Sequence, residues 1–203
     1  MWTIIQKGGP IMWPLLLTSL IALTVVIERC FFIIREKKRR SQQTVNNILD
    51  FAEKGELEKA VQAGKGSEDF VARTMVYGLT HREKSFSSAL LQAANLELKR
   101  FSQGLPTLDT IITLAPLLGL LGTVTGMIRA FGLLGQTELE APTVITGGIA
   151  EALIATAFGL GIAIIALIPF NYLNARLEEA RHEIEDASTH LELSIRKPDR
   201  RFL

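Results

Sequence analysis

Two threonines and one glutamate stand out because they lie in sequence that a bilayer would otherwise accept almost whole. Glu151 and Thr156 fall in GIAEALIATAFGLG (residues 148–161), and Thr123 falls in LLGLLGTVTGMIRAF (residues 117–131). A hydroxyl both donates and accepts a hydrogen bond, so facing hydroxyls can hold water or pass a proton. A membrane threonine can instead return its hydroxyl to the carbonyl one turn earlier. A charged group inside a bilayer is costly, and an intramembrane carboxylate usually faces a cavity or a partner and serves a pathway. Glu151 lies about 10 Å from the outer end of its span at ~1.5 Å per residue, so it can also reach the interface or pair with Arg129. At about 100° per residue, Glu151 and Thr156 point roughly 140° apart around one helix. The threonines are therefore read as proton-pathway or pore-lining groups, and Glu151 as a polar membrane or subunit contact.

A gap in the inventory sharpens this reading. No Asp, Glu, His or Lys occupies the middle of any span, yet a proton path needs a titrating group. If protons cross here, the carrier belongs to another polypeptide, most simply a carboxylate on a partner helix among the hydroxyls.

The elements that must position these residues follow from the distribution of charge. Residues 11–27 and 111–128 carry none, and between residues 144 and 172 the only charge is Glu151. Each stretch can cross a hydrocarbon core of roughly 30 Å, which takes about 20 helical residues. The expected fold is an all-α integral membrane protein with three transmembrane helices and a cytoplasmic helical extension. The expected segments are 1–10, a short outer N-terminal segment; 11–34, the first span; 35–106, a cytoplasmic helical region; 107–134, the second span; 135–143, an outer loop; 144–172, the third span; and 173–203, a cytoplasmic helix and tail. The first apolar run lacks a basic leader and a small-x-small cleavage site, so it reads as a retained span and not a signal peptide.

Spans 2 and 3 are built to pack. Ala115, Gly119, Gly122, Thr123, Gly126 and Ala130 recur at offsets of three or four, and Ala152, Thr156, Gly159 and Ala163 repeat the design in span 3. Such small faces let helix backbones approach closely in lipid. In the extension, Val45, Ile48, Leu49 and Ala52 fall at helical spacing, and Leu173, Leu177, Ile184, Leu191 and Ile195 form an intermittent apolar stripe that reads as a packing seam. Gly104 and Pro106 can end or only kink the helix that leads to span 2.

Lys and Arg placement sets orientation. Arg35, Lys37, Lys38, Arg39 and Arg40 directly follow span 1, whereas the connection between spans 2 and 3 holds two glutamates and no basic residue over 135–142. This predicts an N-terminus outside and a C-terminus in the cytoplasm, with the basic run as a topology anchor at the anionic leaflet and not a nucleic-acid patch.

Enzyme chemistry finds no support. GKGS at 64–67 lacks the glycine spacing of a phosphate loop, HEIEDASTH at 182–190 is not HExxH, and His81, His182 and His190 are expected to face solvent. The single cysteine, Cys30, excludes an internal disulfide and no Cys/His cluster points to a metal. No cofactor is expected beyond protons as the transported ion.

APLLGLLGTVTGMIRAFGLLG (residues 115–135) followed by GGIAEALIATAFGLGIAIIALIPFNYL (residues 147–173) resembles the MotA/TolQ/ExbB proton-channel family, in its three-span ExbB/TolQ branch, with the ExbB side favoured. The resemblance implies a homopentameric channel in the bacterial inner membrane whose second and third spans line a pore. It also implies a single-span ExbD- or TolR-like partner whose membrane aspartate carries the proton, and a TonB- or TolA-like envelope protein that receives the energy. Thr123 and Thr156 match the family's pore-facing threonines, Glu151 its glutamate at the start of the third span, and Ala115 with Pro116 the alanine-proline that opens the second-span motif. Arg129 stands outside the pattern and can snorkel outward or meet Glu151 or Glu138. An outer N-terminal segment of about ten residues predicts at most slight docking of envelope proteins there. The rival reading is a passive helical membrane scaffold without ion flux.

Overall fold

The computed structural model describes residues 8–132 and 141–196. Among them seven helices account for nearly every residue and there is no strand: α1 (Met12–Arg39), α2 (Gln42–Glu53), α3 (Leu57–Gly64), α4 (Phe70–Thr80), α5 (Arg82–Ser102), α6 (Leu105–Gly132) and α7 (Ala141–Arg196). α1, α6 and α7 each contain a stretch long and apolar enough to cross a membrane. The chain divides into two compact units, one of Met1–Arg29 with Gly104–Leu173 and one of Cys30–Gln103 with Asn174–Leu203.

The first unit inverts the burial order of a water-soluble core. α6 buries Leu105, Leu108 and Ile111 in its first two turns, but from Ala115 onward its buried residues are small, Ala115, Gly119, Gly122, Gly126 and Ala130, while Leu117, Leu120, Val124 and Ile128 are exposed. α7 repeats this: Ala152, Ala155, Ala163 and Ala166 are buried, and Leu153, Ile164, Ile165 and Ile168 are exposed. Large apolar side chains facing outward are costly in water and neutral in lipid tails, so helix contact here depends on close packing of small faces. Met12 and Leu15 of α1 join Ala115 in a small core, flanked by Ile11, Leu118, Phe158 and Ile162. Buried Thr18 donates to the Leu15 carbonyl at 2.8 Å, and Thr24 to the Leu20 carbonyl at 2.8 Å, so neither hydroxyl is left unsatisfied.

Helix α6 begins at a true break. Gly104 has φ +78°, a left-handed conformation that ends α5 at Ser102 and lets the chain restart at Leu105. The same glycine makes room for Val25 of α1, whose Cγ1 would lie 2.8 Å from a Cβ placed there, with the Arg29 stem in ordinary contact beside it. Arg29 is 5 % exposed and pairs with Glu28.

The second unit is built on ordinary amphipathic logic. Val45, Ile48 and Ala52 of α2 are buried and Leu49 is half-buried, as the helical spacing predicts. α4 buries Phe70, Val71, Ala72, Met75 and Leu79. Ala180, Ile184, Leu191 and Ser194 make the buried stripe of late α7, with Leu177 half-buried between turns. Phe101 stacks edge-on against Phe32 at 5.3 Å and Phe70 at 5.1 Å, geometry favoured by the ring quadrupoles.

Asp69 ties this unit together. It is 1 % exposed and caps α4, accepting from the backbone N–H of Val71 at 2.8 Å and Ala72 at 3.2 Å. Its other oxygen accepts from the Ser41 N–H at 2.6 Å and from Arg40. Arg40 also reaches Glu183 of α7 at 2.6 Å. Burial weakens the Arg40 charge, but the hydrogen bonds it donates to the Asp69 and Glu183 carboxylates, with their negative charge, outweigh this and hold the guanidinium above its ordinary pKa. A second cluster links Glu36, 3 % exposed, to Arg100 at 2.9 Å, and Glu97 to Arg100 at 2.6 Å and Arg73 at 2.7 Å.

Candidate functional site

The α6–α7 seam positions the chemistry-bearing residues. A Cβ placed on Gly119 would lie 3.0 Å from Thr156 Cα and 3.1 Å from the Ala155 carbonyl oxygen. One on Gly126 would lie 3.1 Å from Ala152 Cβ and 3.2 Å from the Gly148 oxygen, and one on Gly159 would run into the Ala115 carbonyl. The backbones touch over three turns because these positions lack side chains. Pro116, inside α6, is half-buried beside this face.

Across the seam Thr156 donates its hydroxyl to the Gly119 carbonyl at 3.0 Å. Thr123 donates to the carbonyl of Leu120, the next residue of α6, at 2.6 Å. Two hydroxyls from two helices therefore sit on consecutive carbonyls of one helical turn, at one level. Each retains its oxygen lone pairs as acceptors. Thr123 also borders a concavity lined by Val124, Met127, Ile128, Phe131 and Gly132, open on the outer face of α6.

Glu151 has separate neighbours. Arg129 of α6 approaches its Oε1 at 3.4 Å, and the carboxylate side chain is 28 % exposed against 55 % for Arg129. Gly9 lies against the same oxygen: a Cβ there would collide with the carboxylate and force it to shift. The alternative partner Glu138 lies outside the described residues. Thus the structure brings Thr123 and Thr156 to one level and gives Glu151 to Arg129 and to the turn that precedes α1.

The basic run at the C-terminal end of α1 is divided. Arg35, Lys37 and Lys38 are exposed, whereas Arg39 pairs with Glu68 at 2.8 Å and Arg40 turns inward to Asp69 and Glu183. Of the histidines, His182 and His190 are exposed, and His81 stacks on Tyr77 with ring centroids 4.2 Å apart.

Several contributors escaped the sequence. Ala155, buried against Gly122, and Gly148, packed on Ala130, extend the small face of α7 beyond the four residues expected from spacing. Asp69 had a readable signal, an acidic residue immediately before the apolar run FVARTMV. Gly9 had none, because its contact with Glu151 bridges distant parts of the chain.

The sequence model of the MotA/TolQ/ExbB proton channel family matches residues 62–186, more than half the chain. The chain belongs to this family. Within it, the chain is 39 % identical over 199 residues to a putative biopolymer transport protein ExbB-like 1 of Synechocystis sp., covering 94 % of this chain and 77 % of that protein. Identity to the biopolymer transport protein ExbB of Neisseria meningitidis is 27 % over 207 residues, 92 % of each chain. The Tol-Pal system protein TolQ of Haemophilus influenzae matches at 38 % over 94 residues, 46 % of this chain and 41 % of that one. Together with three membrane-capable helices, family membership makes this a multi-pass membrane protein of the MotA/TolQ/ExbB type.

Proposed function

We propose that this chain is the proton-channel, stator-type subunit of a motor driven by the proton-motive force, energising envelope processes such as outer-membrane transport. The observation that carries the reading is the pair of hydroxyls, Thr156 on the Gly119 carbonyl and Thr123 on the Leu120 carbonyl, at one level of two apolar helices. Between Asp109 and Arg129 on α6, and between Glu151 and Tyr172 on α7, the sequence offers no titratable side chain. The proton carrier is then a carboxylate of a second polypeptide. Its helix needs an apolar surface to lie on, and the exposed leucines of α6 with the concavity beside Thr123 supply one.

The assembly that fits is a homopentamer around an ExbD- or TolR-like single-span partner bearing a membrane aspartate, handing energy to a TonB- or TolA-like envelope protein. The chain sits in the bacterial inner membrane with its N-terminus outside. The second unit and C-terminal helix are cytoplasmic, and exposed Arg35, Lys37 and Lys38 anchor that side. One charge crossing ~100 mV supplies about 2.3 kcal/mol, so a few protons can work against several weak contacts.

The scaffold reading draws on the same hydrogen bond, since Thr156 also cements α6 to α7. Substituting Thr156 by Ala and by Ser separates the two. On the motor reading the Ala variant assembles, as read by native mass spectrometry, but no longer energises envelope transport, while the Ser variant does both. Full energisation with the Ala variant would leave only the scaffold.

A further inference from the structure

The turn that precedes α1 lies across both small-faced helices. Gly9 has φ +70°, a region that L side chains rarely adopt, and its carbonyl accepts from the Met12 N–H at 3.2 Å, so the turn is fixed to the start of α1. Pro10 follows, its carbonyl accepting from the Trp13 N–H at 3.2 Å. On one side, a Cβ on Gly8 would lie 3.2 Å from Ile154 Cγ2 of α7, and Gly9 abuts the Glu151 carboxylate. On the other side, Ile11 Cγ2 would lie 2.8 Å from a Cβ on Gly122 of α6. Gly8 itself is buried.

A carboxylate on an apolar helix has few ways to be held. Arg129 at 3.4 Å is a long contact with a half-exposed partner, and it fixes neither the rotamer of Glu151 nor its depth. Gly9 does what the arginine does not: the carboxylate occupies the place where a side chain at position 9 would stand, so the bare Cα leaves Oε1 its site and any Cβ there would displace it. We propose that residues 8–11 form a strap that positions the Glu151 carboxylate, with Gly9 as the positioning residue and Ile11 as the anchor on α6. Glu151 itself is the group that meets a neighbour; Gly9 acts through it. The functional weight of the strap rests on the reading of Glu151 as a working carboxylate of the channel, but its geometry is testable without ion flux.

The test uses the full chain in detergent or liposomes and the probe dicyclohexylcarbodiimide, with labelling of Glu151 read by peptide mass spectrometry. Gly9→Ala forces the carboxylate out from under the strap and is expected to raise Glu151 labelling severalfold. Gly55→Ala is the control: φ there is +76° with nothing within 4 Å of a Cβ, so it carries the same backbone strain without a carboxylate and should leave Glu151 labelling unchanged. In parallel, the fall in Tm caused by Gly9→Ala should shrink in a Glu151→Ala background, because removing the carboxylate removes the clash. If Gly9→Ala does not fold, Ile11→Ala decides, since it loosens the anchor on Gly122 and should also raise labelling. Labelling at or below the wild-type level in the folded variant, or a Tm change that is the same in both backgrounds, overturns the strap. Absence of proton conduction in the wild type would instead overturn the channel reading and leave these results standing.

Discussion

The hydroxyl of Thr156 on α7 donates to the backbone carbonyl of Gly119 on α6 at 3.0 Å, across a seam where the two backbones touch. In the helical ladder that carbonyl also faces the N–H of Thr123, four residues on. One carbonyl therefore lies between the two threonines, and a change in the distance between α6 and α7 alters the hydrogen bonding of both.

Thr156→Ala removes one interhelical hydrogen bond, worth about 0.5–1.5 kcal/mol in general and averaging ~0.6 within membranes. The expected result is a fall in Tm of a few degrees with assembly intact. Thr156→Ser keeps the hydroxyl and should lie close to wild type. Thermal unfolding in detergent checks both.

Glycine substitutions should divide by face. Gly159→Ala drives a methyl group into the Ala115 carbonyl, which is backbone and cannot turn away, so overpacking of about 1–3 kcal/mol is expected. Gly161→Ala, two residues on, has nothing within 4 Å and should be neutral or slightly stabilising. Comparing the Tm of the two variants tests whether the seam is as close as described.

In the second unit, Asp69→Ala removes the α4 cap and leaves Arg40 and the Ser41 N–H without that partner. Breaking a buried pair typically costs about 3–5 kcal/mol, and Arg40 keeps Glu183, so the lower end is expected. Asp69→Asn retains a capping oxygen and should lose less. Circular dichroism on heating measures the difference, and equal stability of Asp69→Ala and wild type would refute the role given to this residue.

Much of the first unit was legible because lipid leaves a simple code. Glycine and alanine at offsets of three and four marked the faces of α6 and α7, and the burial of Gly119, Gly122, Gly126 and Gly159 follows that spacing. Ala155 escaped because alanine adjoins threonine there and either could have faced α6; the helix turns so that Ala155 is buried and Thr156 reaches over by its hydroxyl. The break at Gly104 was undecidable from propensity, since a glycine ends a helix only where a positive φ is realised. Arg40 read as one of five equivalent surface charges because its partners, Asp69 and Glu183, lie far away in sequence and only folding selects it. Gly9 against Glu151 was hidden for the same reason.

The central claim is that Thr156 belongs to a proton path completed by a partner's carboxylate. The most direct measurement is proton uptake into liposomes under an imposed potential, for this chain reconstituted with and without an ExbD- or TolR-like single-span protein, comparing wild type with Thr156→Ala. The account predicts uptake that requires the partner and is lost in Thr156→Ala, with both samples assembled. Uptake by Thr156→Ala at the wild-type rate, or by the chain without its partner, would contradict it.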